Sequence, residues 1–273
     1  MNKSMAFVII VVCVYVNATL AIAASTERGN DFVFSGNISS SVDKLPKNYT
    51  GDDFIKVYDK LAGVASKKGE YEKTTDYQER VSSQGGKIYA FKQVMDKGKK
   101  DYSFKYDPDS EEILVMPHTG YTLGYETKGG PDSRIEFVVN EINSNSGNYV
   151  GQNSFGAHTV VKKYRSISYM INSLNMKNLI NSTNPRGKDP NFTIKMSVSD
   201  AKKYKGSLDI LIIGITPNDS VQTYSDGRVS NPTISSPKDI LWSYKGIHLK
   251  ILQIWVYNSL TGEVVEKKFI DNI

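Results

Sequence analysis

Alternation of apolar and polar residues over most of the chain after residue 87 constrains the fold more than any other feature. Phe192, Ile194 and Met196 occupy every second position, and residues 208–215 form a continuous apolar run. Successive side chains of a strand point to opposite faces, so alternation predicts half-buried strands and the continuous run predicts a strand covered on both faces. Segments rich in Gly, Pro, Asn and Ser, such as residues 143–148, separate these stretches, which is typical of antiparallel sheets. A strand is also predicted over Tyr121–Glu126 and a long polar loop over residues 217–238. We therefore predict a mainly β, antiparallel, sandwich-like fold, with α+β as the alternative.

Two short helices are predicted before the first strand. Phe54, Tyr58 and Leu61 recur at three- and four-residue spacing, which places one apolar stripe against a core. A second helix is predicted near Thr75 and Gln78, whose spacing is that of a capping box. The N-terminal part of the domain is thus expected to be a helical hairpin that leads into the sheet.

The chain divides into four predicted regions. Residues 1–24 combine a short basic end, an apolar stretch and small residues in an A-x-A pattern, as a cleavable export signal requires. Residues 25–51 are rich in Ser, Asn, Gly and Asp and are predicted to form a flexible N-terminal arm. Residues 52–182 should hold the helical hairpin and an antiparallel sheet, and residues 190–273 a C-terminal β region, either separate or part of the same domain.

Charge and cysteine content exclude several classes of function. Cys13 is the single cysteine and lies within the predicted signal, so the exported chain would contain no thiol chemistry or disulfide. The net charge is +5, but the basic residues are scattered among acidic ones, which argues against nucleic acid as a partner. After removal of the signal, no stable membrane span is expected, because no other long apolar run remains.

Motifs of catalysis and metal binding are weak. Ser199 and Lys202 match S-x-x-K, but the accompanying K-T-G pattern is missing from the sequence, and Ser199 is as readily the N-cap of a short helix. The three histidines, His118, His158 and His248, have no metal-ligand spacing. We therefore assign no catalytic residues, no metal site and no cofactor from the sequence.

The 17 tyrosines and two tryptophans favour an interaction surface, because aromatic side chains bring a large contact area at low entropic cost. The densest group lies near the C-terminus. We predict a possible interaction surface formed by Trp242, Tyr244, Trp255 and Tyr257.

Three segments resemble a group of uncharacterised exported bacterial proteins, the last of them near the C-terminus, with IWVY at residues 254–257 and TGEV at residues 261–264. Residues 68–80 read KGEYEKTTDYQER and are similar to the KGEFETTxEYxxR segment of that group, and residues 149–156 read YVGQNSFG and resemble its YxGQNAFG segment. The resemblance implies a periplasmic or envelope location and brings no known activity. Glycines in the second segment favour a bulge or tight turn, with a binding loop as the alternative.

The sequence thus favours an exported, non-enzymatic binding or structural module of the cell envelope. Its partner would be an envelope protein or a polysaccharide. The alternative is a hydrolase that acts on peptidoglycan or another glycan through carboxylates such as Glu70, Asp107 or Glu111, since such enzymes use paired carboxyl groups.

Overall fold

The computed structural model describes most of the chain after residue 41. The described ranges are 42–65, 67–93, 102–119, 135–175, 178–179, 183, 190–218 and 221–270. The helices in these ranges are Phe54–Val64 (α1), Thr74–Ser82 (α2) and Val198–Tyr204 (α3). The strands are Ile88–Lys92 (β1), Phe104–Asp107 (β2), Glu112–Val115 (β3), Glu136–Gln152 (β4), His158–Ser173 (β5), Phe192–Lys195 (β6), Leu208–Ile215 (β7), Thr223–Ser230 (β8), Lys238–Asn258 (β9) and Val264–Phe269 (β10). The predicted signal and a strand predicted over Tyr121–Glu126 lie outside the described residues.

The long strand β9 organises a seven-stranded sheet. Its first half lies between β5 and β8, and its second half lies between β7 and β10. Strand β1 pairs with the outer edge of β7, and β4 pairs with β5. The β5–β9 pair is parallel, whereas the other pairs of this sheet are antiparallel. The mainly β, largely antiparallel prediction is therefore confirmed, although the large sheet is mixed.

A second, three-stranded antiparallel sheet has the order β2-β3-β6. Its residues Ile113 and Phe192 belong to the same hydrophobic cluster as Ile210 and Ile254 of the large sheet and Phe54 of α1. Strands from residues 52–182 and strands from residues 190–273 pair with each other in both sheets. The two predicted regions therefore contribute strands to the same two sheets and side chains to the same hydrophobic cluster.

Residues 42–51 form an ordered strap across one face of the large sheet, in contrast to the flexible arm that their composition predicted. Leu45 and Tyr49 are buried in a second hydrophobic cluster. The strap is held at both ends, because Leu45 N–H donates to the Gly262 carbonyl at 2.7 Å and Asp52 N–H donates to the Ala90 carbonyl at 2.7 Å. Single apolar side chains are thus enough to hold a polar segment against the sheet when a buried site is present for them.

Helix α1 forms where its apolar spacing predicts it, and α2 covers the region around Thr75 and Gln78 in which a second helix was predicted. The Asp53 side chain caps α1 by accepting from the backbone N–H groups of Ile55 and Lys56. The predicted capping box of α2 is wrong: its N-cap is Lys73, without a side-chain bond, and the Thr75 hydroxyl donates to Asp76. Three-residue spacing of suitable residues is compatible with several starting positions, and here the helix begins one residue before Thr75.

The segment 68–80, which carries the family resemblance, joins α1 to α2 through an ion pair. Arg80 donates to both carboxylate oxygens of Glu72 at 2.8 and 2.9 Å, and also to the carbonyls of Gly63 and Val64 at the end of α1. Glu72 in turn accepts from Gly69 N–H at 2.9 Å. One arginine therefore satisfies the end of α1 and fixes the loop that follows it.

This ion pair predicts a pH dependence of stability. The bonds from Arg80 and Gly69 lower the pKa of Glu72 from 4.5 to about 2. A folded-state pKa below the unfolded one stabilises the fold above about pH 4.5, and that stabilisation is lost as the pH falls towards 2. Glu72→Gln should therefore lower Tm at pH 6 and have little effect at pH 2, measured by thermal unfolding across this range.

The matched control for Glu72→Gln is Glu70→Gln, which removes an exposed carboxylate of the same segment. We expect this variant to follow the wild-type pH profile. If the two variants changed the profile equally, the Glu72–Arg80 pair would not be the source of the dependence.

Two segments predicted as loops are strands. Residues 143–148 lie inside β4, and the polar stretch 217–238 contains β8. All residues of 143–148 and of 225–229 are exposed, so these stretches lack the alternation that identifies a half-buried strand. These two strands build the part of the sheet in which the candidate site lies.

Candidate functional site

Trp255 and Tyr257, two members of the predicted aromatic surface, are fully buried, each with 0% exposure. Both pack beneath the strap in the cluster that contains Leu45 and Tyr49. The Tyr257 hydroxyl donates to the Tyr49 carbonyl at 2.8 Å, and burial raises the pKa of the Tyr257 phenol. These two residues are part of the core and do not belong to an exposed surface.

Trp242 and Tyr244 are half-buried, in the first half of β9. Directly paired residues on neighbouring strands lie on the same face of a sheet. Trp242 is therefore on one face with Arg228 of β8, and so are the paired residues Tyr164 and Ile240. We call the partly exposed surface formed by Tyr164, Arg228, Ile240, Trp242 and Tyr244 the aromatic face.

The aromatic face belongs to an extension of the large sheet that we call the wing. The wing comprises residues 141–168 of the β4–β5 hairpin, residues 225–230 of β8 and residues 238–245 of β9. Every position from 143 to 150 is exposed, so both faces of β4 are open to solvent there. The hairpin also extends beyond the start of β9, because Lys238 pairs with Lys162.

A tight turn ends the wing. Asn153 accepts through its side-chain oxygen from the N–H groups of Phe155 and Ala157, at 3.0 and 2.9 Å, and Gly156 has a φ of +82°. The predicted turn in the segment 149–156 is thus confirmed. It presents the Phe155 ring to solvent with 93% of its surface exposed.

The base of the wing is tied across four strands by Tyr224. The ring lies over Gly246, where a Cβ atom would overlap it. Its hydroxyl donates to Glu136 on β4 at 3.1 Å, and its ring contacts the buried His248 edge-on at 5.5 Å between centroids. A glycine in the middle of β9 therefore allows one tyrosine to connect β8 with β4.

The wing is basic. Its lysines and arginines are Lys162, Lys163, Arg165, Arg228, Lys238 and Lys245, and its acidic residues are Glu141, Asp226 and Asp239. The sequence clusters these residues only in part, and strand pairing brings the remainder together. A net positive surface of this kind attracts anionic partners and raises their rate of association.

The three carboxylates of the hydrolase alternative, Glu70, Asp107 and Glu111, do not line a common cleft. Glu111 lines an open cleft of about 790 Å³ together with Asp200 and Glu263. Asp107 ends β2, and the Asp109 N–H lowers the pKa of its carboxyl. Glu70 is an exposed residue between α1 and α2.

The cleft contains a hydrogen-bonded cluster that no sequence motif predicts. The Tyr204 hydroxyl donates to Glu263 at 2.7 Å, and the Lys203 ammonium donates to Tyr204 and to Glu263 at 3.0 and 3.2 Å. These bonds lower the pKa of Glu263 and raise the pKa of Lys203. Both groups are therefore held in their charged forms.

The motifs examined in the sequence acquire structural roles. The N-cap of α3 is Ser197, one turn before its partner Asp200, rather than Ser199. Lys202 lines a different cavity from the cleft that contains Ser197. Within the described residues, no group of three or more His, Cys, Asp or Glu side chains could hold a metal ion.

No family model, curated protein or solved structure matches the chain. Across the residues that the structure describes, no helix is both long and apolar enough to cross a membrane. The fold and the site together define a mainly β protein with a basic, solvent-exposed wing and an aromatic face.

Proposed function

We propose that this protein is an exported, non-enzymatic binding module of the bacterial cell envelope, and that the aromatic face of the wing holds its partner. The observation that carries the proposal is the position of Trp242 and Tyr244, half-exposed and two residues apart on a part of the sheet that is open to solvent. Export and the envelope location rest on the predicted signal and on the resemblance of residues 68–80 and 149–156.

The composition of the aromatic face supports binding. Trp, Tyr and Arg carry a disproportionate share of binding energy in protein interfaces. Here Trp242 pairs with Arg228, and Tyr164 and Tyr244 lie on the same face. Burial of these half-exposed side chains against a partner would remove apolar surface from water without any rearrangement of the sheet.

The charge of the wing supports an anionic envelope component as the partner. Acidic envelope polysaccharides and acidic protein surfaces share this chemistry, and both remain compatible with the flat, aromatic surface. The position of the two sheets around one core also supports a sandwich-like arrangement of the domain, which we propose as the scaffold that holds the wing.

The hydrolase alternative has less support. A pair of glycosidase carboxylates needs one acid that stays protonated, which requires a raised pKa. Asp107 and Glu263 have lowered pKa values because of hydrogen bonds from Asp109, Tyr204 and Lys203. Neither Asp107 nor Glu263 of the cleft is therefore suited to act as the general acid.

A crosslinking and pull-down experiment with a C-terminally tagged copy tests the proposal. We expect one dominant partner from wild type that survives a high-salt wash. Trp242→Ser/Tyr244→Ser should lower the affinity for this partner at least about 30-fold, since a single hot-spot aromatic residue already contributes about 2 kcal/mol.

The matched control is Val229→Ser, an exposed residue of the same wing that lies opposite Leu241 and therefore on the other face. This variant should capture the partner as wild type does. Equal capture by the double variant and wild type would refute the role of the aromatic face.

A further inference from the structure

We infer that a second cavity, on the opposite side of α3 from the cleft, binds a single-chain amphiphile with an anionic head group. The cavity has a volume of about 420 Å³ and lies between β2, α3 and the start of β7. Its apolar lining consists mainly of Phe104, Tyr106, Ile113, Val198, Ala201 and Leu208. This inference is independent of the partner of the wing.

The walls of the cavity are apolar because the polar ends of its tyrosines are bound elsewhere. The Tyr106 hydroxyl donates to the Met196 carbonyl at 3.1 Å, and the Tyr204 hydroxyl donates to Glu263 in the neighbouring cleft. Each ring therefore contributes its apolar surface to the cavity. Ile113 and Leu208 are buried core residues, so the floor is continuous with the main core.

Charge at the rim specifies the head group. Lys202 and Lys205 line the cavity and are exposed, and the described lining residues include no Asp or Glu. An apolar interior with two ammonium groups at its rim is complementary to an alkyl chain that ends in a carboxylate or phosphate. If each group of the chain occupies roughly 30 Å³, as a water molecule does, the cavity accommodates a chain of about 14 groups.

Calorimetric titration of the full exported chain with alkanoates below their micelle concentrations tests this inference. We expect Kd to fall about fourfold for each methylene between octanoate and dodecanoate, because each buried methylene adds a constant transfer free energy. The alkanol of equal length should bind about fivefold more weakly, since it lacks the charge that two exposed lysines attract. Affinity that is independent of chain length, or equal for alkanoate and alkanol, would overturn the inference.

Two variants locate the site. Ala201→Phe should fill the cavity and weaken dodecanoate binding at least tenfold, with circular dichroism as the check on folding. Lys202→Ala/Lys205→Ala changes exposed residues and should reduce dodecanoate affinity to that of the alkanol. Lys203→Ala, whose ammonium bonds Glu263 on the other side of α3, is the matched control and should bind as wild type does.

The source of the ligand is distinguished by comparing dodecanoate with a lauroyl lysophospholipid of anionic head group. Tighter binding of dodecanoate assigns the site to free fatty acids, and tighter binding of the lysophospholipid assigns it to lipid head groups. Either result supports the shared chemistry. Wild-type binding of dodecanoate by both Ala201→Phe and Lys202→Ala/Lys205→Ala would contradict the proposed location.

Discussion

Replacing Trp255 by alanine is expected to lower the free energy of unfolding by about 3–5 kcal/mol, the usual cost of removing a large buried aromatic side chain. Trp255 has 0% exposure and packs among Leu45, Leu211 and Tyr257 beneath the strap. Its loss would leave a cavity that the rigid β9–β7 pairing cannot close. Denaturant unfolding followed by far-UV circular dichroism measures the change.

Trp242→Ala provides the control in the same strand. Because Trp242 is half-exposed on the wing, its removal should cost less than about 1 kcal/mol. Equal destabilisation by the two substitutions would contradict the division of the four predicted aromatic residues into two core and two surface members.

The second large effect is expected for Gly262→Ala, which should destabilise the fold by about 3 kcal/mol through backbone strain and steric overlap. Gly262 has a φ of +80°, and an added Cβ would overlap the backbone carbonyl of Leu45. The substitution therefore displaces the strap as well as straining the turn. In a Trp242→Phe background, Trp255 is the only tryptophan, so the fluorescence reports on the region beneath the strap. Acrylamide should quench this fluorescence more strongly when Gly262→Ala is added to that background.

Gly206→Ala separates the two contributions. Gly206 has a similar φ of +74°, but its added Cβ would meet no atom within 4 Å. The variant should lose about 1–2 kcal/mol, the cost of the left-handed backbone alone. If Gly262→Ala were no more destabilising than Gly206→Ala, the strap would not depend on close approach at Gly262.

The pattern of apolar residues predicted the elements that have at least one buried face. The apolar stripe of α1 and the continuous run of β7 correspond to observed elements, with β7 almost entirely buried. The polar segments of β4 and β8 were read as loops, because a strand that is open to solvent on both faces has no reason to alternate. Alternation of apolar and polar residues therefore predicts the strands of the core but not the strands of the wing.

Two of the four aromatic residues predicted for the site lie on the aromatic face, and the other two lie in the core. Trp242, Tyr244, Trp255 and Tyr257 are all aromatic residues of one strand, and no local feature distinguishes the first pair from the second. The difference comes from the strap, whose Tyr49 bonds Tyr257 across 208 positions of sequence. Local sequence patterns cannot predict such a contact, because it depends on which distant segment covers each half of β9.

The most direct test of the proposed function is photo-crosslinking from two adjacent positions of the wing in cells that make the protein. Benzoylphenylalanine at Tyr164 would lie on the aromatic face, and at Arg165 it would lie on the opposite face, since successive residues of β5 alternate. We expect one discrete adduct from position 164 that persists at high salt, and none from position 165. No adduct from position 164, or the same adducts from both positions, would contradict binding through the aromatic face.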